Sequence, residues 1–359
     1  MTGATRMATA VVVFVLTALA SGCGSCSASP VEKTGAWSHV TPAREGVDPK
    51  RLAAADRWAR SRVPALTSLL VARHGRLVFE RYYDLGAPNQ RVPILSVTKS
   101  IVSTLVGIAL GEGRLKTLDV KLRDVFGSDI PVGADPRVRS ITLRELLTMT
   151  AGFGSTATDP FGDGGSAYRT TPNWVHTILG SPLATDPGAA FAYDNGDAHL
   201  VSAILQHVTG ETTAAFARAN LFRPLRINAG RWWSDRQGVT DGAMGLELYP
   251  RDLAKLGELY LRFGRWGDRQ LVPASYVRAA TSGQVSPEAA VTGLGYGYFW
   301  WTYRGPAIPR LSLALGSGGQ FVIVVPSRAA VIVLTSNSTT STPGATELTL
   351  VRHVLQALE

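Results

Sequence analysis

Strand patterns occupy the two ends of this chain and helical patterns fill its middle, a distribution that constrains the fold more than any single motif. Residues 66–72 and 76–83 are short, largely apolar runs of strand character around Arg73-His74-Gly75, a strand–turn–strand signal. Residues 299–302, 311–315, 321–325 and 330–335 repeat that character near the C-terminus. Between them, Thr142 caps an amphipathic helix over 141–149, and further helices are expected at about 197–208, 212–220, 251–263 and 273–281. Asp48-Pro49 opens a first helix to about residue 60, and a last helix spans about 347–358. Terminal strands enclosing helices imply one antiparallel sheet drawn from both ends, an α+β fold with an inserted, mostly helical lobe. The expected limits are a sheet lobe at about 48–95 and 296–359 and a helical lobe at about 96–295.

Ser96-Val97-Thr98-Lys99 leads into the apolar run 100–110, long enough for a buried helix. Residues three apart in a helix are neighbours, so Lys99 falls beside Ser96. Pro93 sits where a chain entering a helix tolerates it. Ser96 would then lie in the first turn, where free N–H groups and the helix dipole favour developing negative charge. A serine hydroxyl becomes a useful nucleophile when a neighbouring base takes its proton, and a desolvated lysine can be that base. Of 36 basic residues six are Lys and thirty Arg, so a chain that writes its cations as arginine has placed at position 99 the one that can lose a proton.

The N-terminus reads as a processing signal. Arg6 precedes a thirteen-residue apolar run, 8–20, which is too short to span a bilayer and suits a secretory signal. Ser21-Gly22-Cys23 resembles a bacterial lipobox, with Ala20 where leucine is commoner. That resemblance implies a signal peptide over 1–22, a lipid on Cys23, and a tether over 23–47 that carries the catalytic body, 48–359, at the outer face of the cytoplasmic membrane. Ordinary cleavage with secretion is the alternative. Cys23 and Cys26 are the only cysteines, so no disulfide framework or cysteine metal site is built into the body. At 45% hydrophobic and 18% charged the chain can bury a large core. The net charge of +9 is spread along the sequence and favours an anionic envelope surface. No nucleic-acid-binding motif accompanies it.

Two further motifs give the Ser-x-x-Lys pattern its weight. Tyr193-Asp194-Asn195 supplies a Tyr-x-Asn about a hundred residues on, and Gly316-Ser317-Gly318-Gly319-Gln320 is a glycine-rich turn between two apolar strands. In this order and spacing the chain resembles the serine β-lactamase / penicillin-binding-protein-like superfamily, in particular the branch of class C β-lactamases, family VIII esterases and nylon-oligomer hydrolases. The likeness runs over about residues 45–357 and takes in 142–152, 222–225 and 249–253. It implies Ser96 as nucleophile, Lys99 as its base and Tyr193 as proton shuttle to the leaving group. Asn195 would position Lys99 or the substrate carbonyl, and the N–H of Ser317 or Gly318, beside Gly316, would face that of Ser96 as an oxyanion hole. The chemistry implied is acylation of Ser96 by a small ester or amide and hydrolysis of the acyl-enzyme, with no metal or organic cofactor.

Departures from the pattern bear on the substrate. Penicillin-recognising relatives carry Lys or His at the start of the strand motif, whereas this chain has Ala314-Leu315-Gly316-Ser317-Gly318. The deacylating Glu-x-x-Leu-Asn of class A β-lactamases is also missing. Ester or amide hydrolysis is therefore favoured over β-lactamase or D-alanyl-D-alanine carboxypeptidase activity. A non-catalytic envelope homologue is the alternative from another class, and the intact Ser96, Lys99 and Tyr193 weigh against it. The middle residue of Tyr-x-Asn, usually small, is Asp194.

Other candidates have plainer readings. His74, His176, His199, His207 and His353 read as surface or satisfied structural residues, not metal ligands. Tyr296, Tyr298, Trp300 and Trp301 read as core packing, with a hydrophobic wall for the acyl or alcohol group as the alternative; Trp232 and Trp233 are read likewise. The polar stretch 152–173 is a long loop from which Asp163 or Tyr168 could reach substrate.

Overall fold

A computed structural model of the chain describes residues 30–153, 167–287, 293–305, 308–338 and 345–359. The proposed signal, Cys23, Cys26 and Asp163 lie outside the described residues.

The labelled elements, in chain order, begin with helix α1, Pro49–Arg62, whose N-cap Asp48 accepts from the N–H groups of Lys50 and Arg51. Strands β1, Leu66–Arg73, and β2, Arg76–Tyr82, form the expected hairpin, with His74 in its turn at φ +50°. Helix α2, Val97–Gly111, is buried from Val97 to Ala109, its polar Thr98, Lys99, Ser100, Ser103 and Thr104 included. Thr142 caps α3, Leu143–Leu147, through a reciprocal pair with Glu145. Then come α4, Trp174–Leu179, α5, Asn195–Thr209, and α6, Pro250–Leu261. The C-terminal third supplies β3, Leu294–Tyr296, β4, Trp301–Gly305, β5, Ile308–Gly316, β6, Gln320–Val325, and β7, Ala330–Ser336, followed by α7, Ala345–Ala357.

The seven strands make one antiparallel sheet in the order β2-β1-β7-β6-β5-β4-β3. The N-terminal hairpin joins the C-terminal strands through the β1–β7 pairing, Leu70 opposite Val333. Both ends of the chain thus build a single sheet, and α6 packs across β6, β7 and β1 while α2 lies against β5 and β6. The mixed architecture is the α+β arrangement expected from the strand distribution.

Three details differ from expectation. The strand expected at 299–302 begins only at Trp301, because Gly297 N–H bonds Trp300 O and Phe299 takes φ +56°, a tight turn that the aromatic run concealed. That turn joins β4 to β3, a three-residue strand too short to show a period. The helix expected at 212–220 is α-helical only over Thr213–Ala217 and widens to a π-turn over Arg218–Phe222 before Pro224.

Candidate active site

Two local features set Ser96 at the start of its helix beside Lys99. Leu95, immediately before it, is held at φ +48°, a conformation unfavourable for a branched-chain residue and found where structure around it over-determines the backbone. Ser96 is then the N-cap of α2, so its side chain leaves the helix at the end where backbone donors are free. No backbone hydrogen bond is made by the N–H of Ser96 among the described residues.

Lys99 is 1% exposed and its ammonium has three acceptors: Ser96 Oγ at 3.0 Å, Asn195 Oδ1 at 2.6 Å and the Ala243 carbonyl oxygen at 3.3 Å. Two of the three are carbonyl oxygens, which accept and cannot donate. When Lys99 is neutral its two remaining protons belong to those carbonyls, and its lone pair faces Ser96, the only one of the three partners with a proton to give. The arrangement therefore orients Lys99 as a base toward Ser96. Lys99 Nζ also lies 4.8 Å from the centroid of the Tyr193 ring.

Tyr193 and Asn195 reach the site because Asp194 between them caps α5. Its carboxylate accepts from the N–H of Gly196 and, at 3.3 Å, from that of Asp197. Capping turns Asp194 toward the helix axis and leaves its two neighbours at the mouth of the helix. Burial pushes the Asp194 carboxyl up to about 7, against the pull of the Gly196 and Asp197 N–H groups and of the Lys99 charge. Asp197, fully buried and with no hydrogen-bond partner for Oδ1 among the described residues, is held well above the usual carboxylate range by burial and by Asp194.

The glycine-rich turn lies against the chain entering Ser96. A Cβ on Gly316 would sit 2.6 Å from the carbonyl oxygen of Ile94, so only glycine lets β5 approach this closely. The N–H groups of Ser317 and Gly318 make no backbone hydrogen bond among the described residues and remain available. Gln320 anchors the turn by donating from Nε2 to the Ser336 carbonyl.

The aromatic residues of the third motif region are core. Tyr296, Tyr298, Trp300 and Trp301 are all buried, and Trp301 and Tyr296 form the packing beneath Tyr193. His199 is a structural histidine: it is buried against Tyr168 and Trp174, with Nε2 3.3 Å from Asp235 Oδ2. Trp232 donates to the Asp241 carbonyl, while Trp233 is exposed. Among the described residues, no group of three or more His, Cys, Asp or Glu side chains could hold a metal ion. Ala243, the third acceptor for Lys99, escaped the sequence reading because a backbone carbonyl leaves no residue-type signal.

Comparison with known proteins decides the family, since residues 53–356 match the β-lactamase family. The chain belongs to the β-lactamase family. It has the fold of that family. "Protein flp" of Staphylococcus aureus (strain NCTC 8325 / PS 47) is 25% identical to this β-lactamase-family chain over 193 residues, 50% of the chain and 37% of that protein, so the chain spans little more than a third of that relative's length. A protein of Escherichia coli O157:H7 named "Putative D-alanyl-D-alanine carboxypeptidase" is 23% identical over 384 residues, 87% of this chain and 88% of that one. Among solved structures, "Putative 6-aminohexanoate-dimer hydrolase from Bacillus anthracis" superposes with a TM-score of 0.71 at 18% identity, covering 89% of this chain and 86% of that one, which shows a shared fold.

Proposed function

We propose that this β-lactamase-family hydrolase cleaves small esters or amides through an acyl-Ser96 intermediate, with Lys99 as the base. The observation that carries the reading is the set of three acceptors around Lys99, which leaves its lone pair for the Ser96 hydroxyl. Ser96 Oγ forms a bond to the substrate carbonyl carbon as its proton passes to Lys99. The negative charge gathered on the carbonyl oxygen is met by the N–H of Ser96 and that of Ser317 or Gly318. Collapse expels the alcohol or amine, which takes a proton delivered through Tyr193 from Lys99. Water then attacks the acyl-serine by the same route in reverse, releasing the acid and restoring Ser96.

The strand beside Ser96 favours neutral substrates. Ala314, Leu315, Gly316, Ser317 and Gly318 carry no cation for a ligand carboxylate. Arg169 has its guanidinium occupied by Asp241, on the turn that brings the Ala243 carbonyl to Lys99. A second reading, cleavage of a D-alanyl peptide, draws support from the Escherichia coli relative, whose printed name describes that activity and which matches along most of both chains. We further propose that lipid on Cys23 holds the enzyme at the envelope; no helix among the described residues is long and apolar enough to cross a membrane.

The test is covalent trapping. An alkyl fluorophosphonate should label the wild-type chain at Ser96, and peptide mapping should find no label in Ser96→Ala. Labelling elsewhere, or none in the folded wild type, would remove the acyl-serine reading.

A further inference from the structure

Arg169 and Asp241 come from parts of the chain 72 residues apart and meet as a bidentate pair, Nη1 to Oδ2 at 2.6 Å and Nη2 to Oδ1 at 3.0 Å. The Asp241 side chain is fully buried and that of Arg169 mostly so. A buried ion pair of this kind adds little net stability compared with well-packed apolar residues, so its place in the fold calls for another account.

The account lies in what Asp241 does with its remaining lone pairs. Oδ1 accepts from the N–H of Ala243 at 2.9 Å and from that of Met244 at 3.3 Å. The carboxylate therefore curls residues 241–244 around itself. With the Ala243 N–H fixed on Asp241, its carbonyl is the group delivered to Lys99 Nζ. The same turn is pressed onto the helix that carries Asn195: a Cβ on Gly242 would lie 1.9 Å from the Ala198 carbonyl oxygen. One short turn thus sets the Ala243 acceptor in register with the Asn195 acceptor. Arg169 is itself held in place by the faces of Tyr168 and Trp174, 5.5 and 5.1 Å from their centroids.

We propose that Arg169, acting through Asp241, is a positioning residue that holds the Ala243 carbonyl against Lys99 and so aims the lone pair of the base at Ser96. This rests on Lys99 being the base. Without Arg169 the buried Asp241 carboxylate loses its counter-charge, the turn reorganises, and the amine keeps one fixed acceptor where it had two. The Asp241 carboxylate is fully buried and acts on the base through the Ala243 carbonyl, so the loss is expected in turnover and not in binding.

The experiment measures kcat and KM for p-nitrophenyl butyrate with Arg169→Ala, Arg169→Lys and Lys99→Arg beside wild type, each with its melting temperature, with and without millimolar guanidinium chloride. Loss of one hydrogen bond to a charged group predicts that kcat for Arg169→Ala falls about tenfold to a hundredfold at nearly constant KM. Guanidinium, filling the vacated place on Asp241, should restore part of that kcat, whereas sodium chloride should not. Lys99→Arg should be inactive and beyond rescue. Wild-type kcat in Arg169→Ala, or a fall shared by kcat, KM and melting temperature that guanidinium leaves unchanged, would overturn the proposal. Should Arg169→Ala not fold, Arg169→Lys decides: a lowered kcat at constant KM supports the positioning role, and an unchanged kcat rejects it. An active Lys99→Arg would instead overturn the assignment of the base, whatever Arg169 does.

Discussion

The ring of Trp301 lies nearly parallel to that of Tyr193, with planes 21° apart and centroids 6.1 Å apart, and Tyr296 meets both rings edge-on. Tyr193 stands at the mouth of α5 and would otherwise be free to swing about its side-chain bonds. The aromatic floor removes that freedom, so a core residue on β4 sets the direction of a group proposed to carry protons.

Trp301→Phe should therefore lower kcat for p-nitrophenyl butyrate by several-fold while the chain stays folded. Trp301→Ala should also destabilise the protein by about 3–5 kcal/mol, the usual cost of emptying a buried aromatic site. Thermal melting beside steady-state kinetics separates the two effects. The smaller ring of Trp301→Phe cannot cover Tyr193 to the same extent, so full kcat in that variant would mean that a freer Tyr193 ring does no harm.

Lys99→Arg retains the positive charge but supplies no base at workable pH. It should lose about a hundredfold to ten-thousandfold in kcat/KM, the range general-base catalysis contributes. Asn195→Ala removes one of the two carbonyl acceptors and should cost about tenfold to a hundredfold, matching one hydrogen bond to a charged group. If Lys99→Arg kept a tenth of wild-type activity, Lys99 would have no place in the mechanism.

Small neutral esters should be preferred to penicillins and cephalosporins. A charge-assisted hydrogen bond contributes about 1.5–3 kcal/mol, so a carboxylate-bearing β-lactam that finds no cation beside Gly316 and Ser317 should bind roughly tenfold to a hundredfold more weakly than it would with one. The comparison is kcat/KM for p-nitrophenyl butyrate and for a chromogenic cephalosporin on one preparation. A higher value for the cephalosporin would point to a cation supplied from elsewhere in the chain.

Anchoring is tested by Cys23→Ser, which should block lipid attachment and lipoprotein-type processing. Mass spectrometry of the mature N-terminus is the readout. A mature chain that starts at a residue other than 23 would favour ordinary secretion.

Much of this site was legible because it is written in residue types at short spacing. Ser96 and Lys99 are one helical turn apart, and Tyr193 and Asn195 flank a capping aspartate, so local rules place each pair. The sheet was legible because the short apolar runs at 66–72 and 330–335 have no helical period. What stayed hidden is what tertiary packing alone creates. The Ala243 carbonyl is a backbone group, the Arg169–Asp241 pair joins a short 3-10 helix to a distant turn, and the turn at Phe299 reverses the chain within an aromatic run that reads as strand. The three-residue β3 and the short helix α4 are below the length at which periodicity speaks.

Asp194 makes the last prediction, because its buried charge is a liability that the fold carries at the cap of α5. Burial raises its carboxyl to about 7, so the folded protein holds that proton more tightly than the unfolded chain, whose carboxyl titrates in the ordinary range near 3.8. Stability from this group is thus fully present below the ordinary carboxylate range. It is lost as pH rises from there to about 7, and is level above that. Asp197 slopes the same way, since burial and Asp194 raise it too. Asparagine caps a helix as well as aspartate and cannot ionise, so Asp194→Asn keeps the bonds to Gly196 and Asp197 while removing the buried charge. The variant should melt higher than wild type above neutral pH, and the gap should close as pH falls toward the ordinary carboxylate range. Melting curves across that interval decide it: a gap of constant size would show that the difference arises from packing or capping and not from the proton on Asp194.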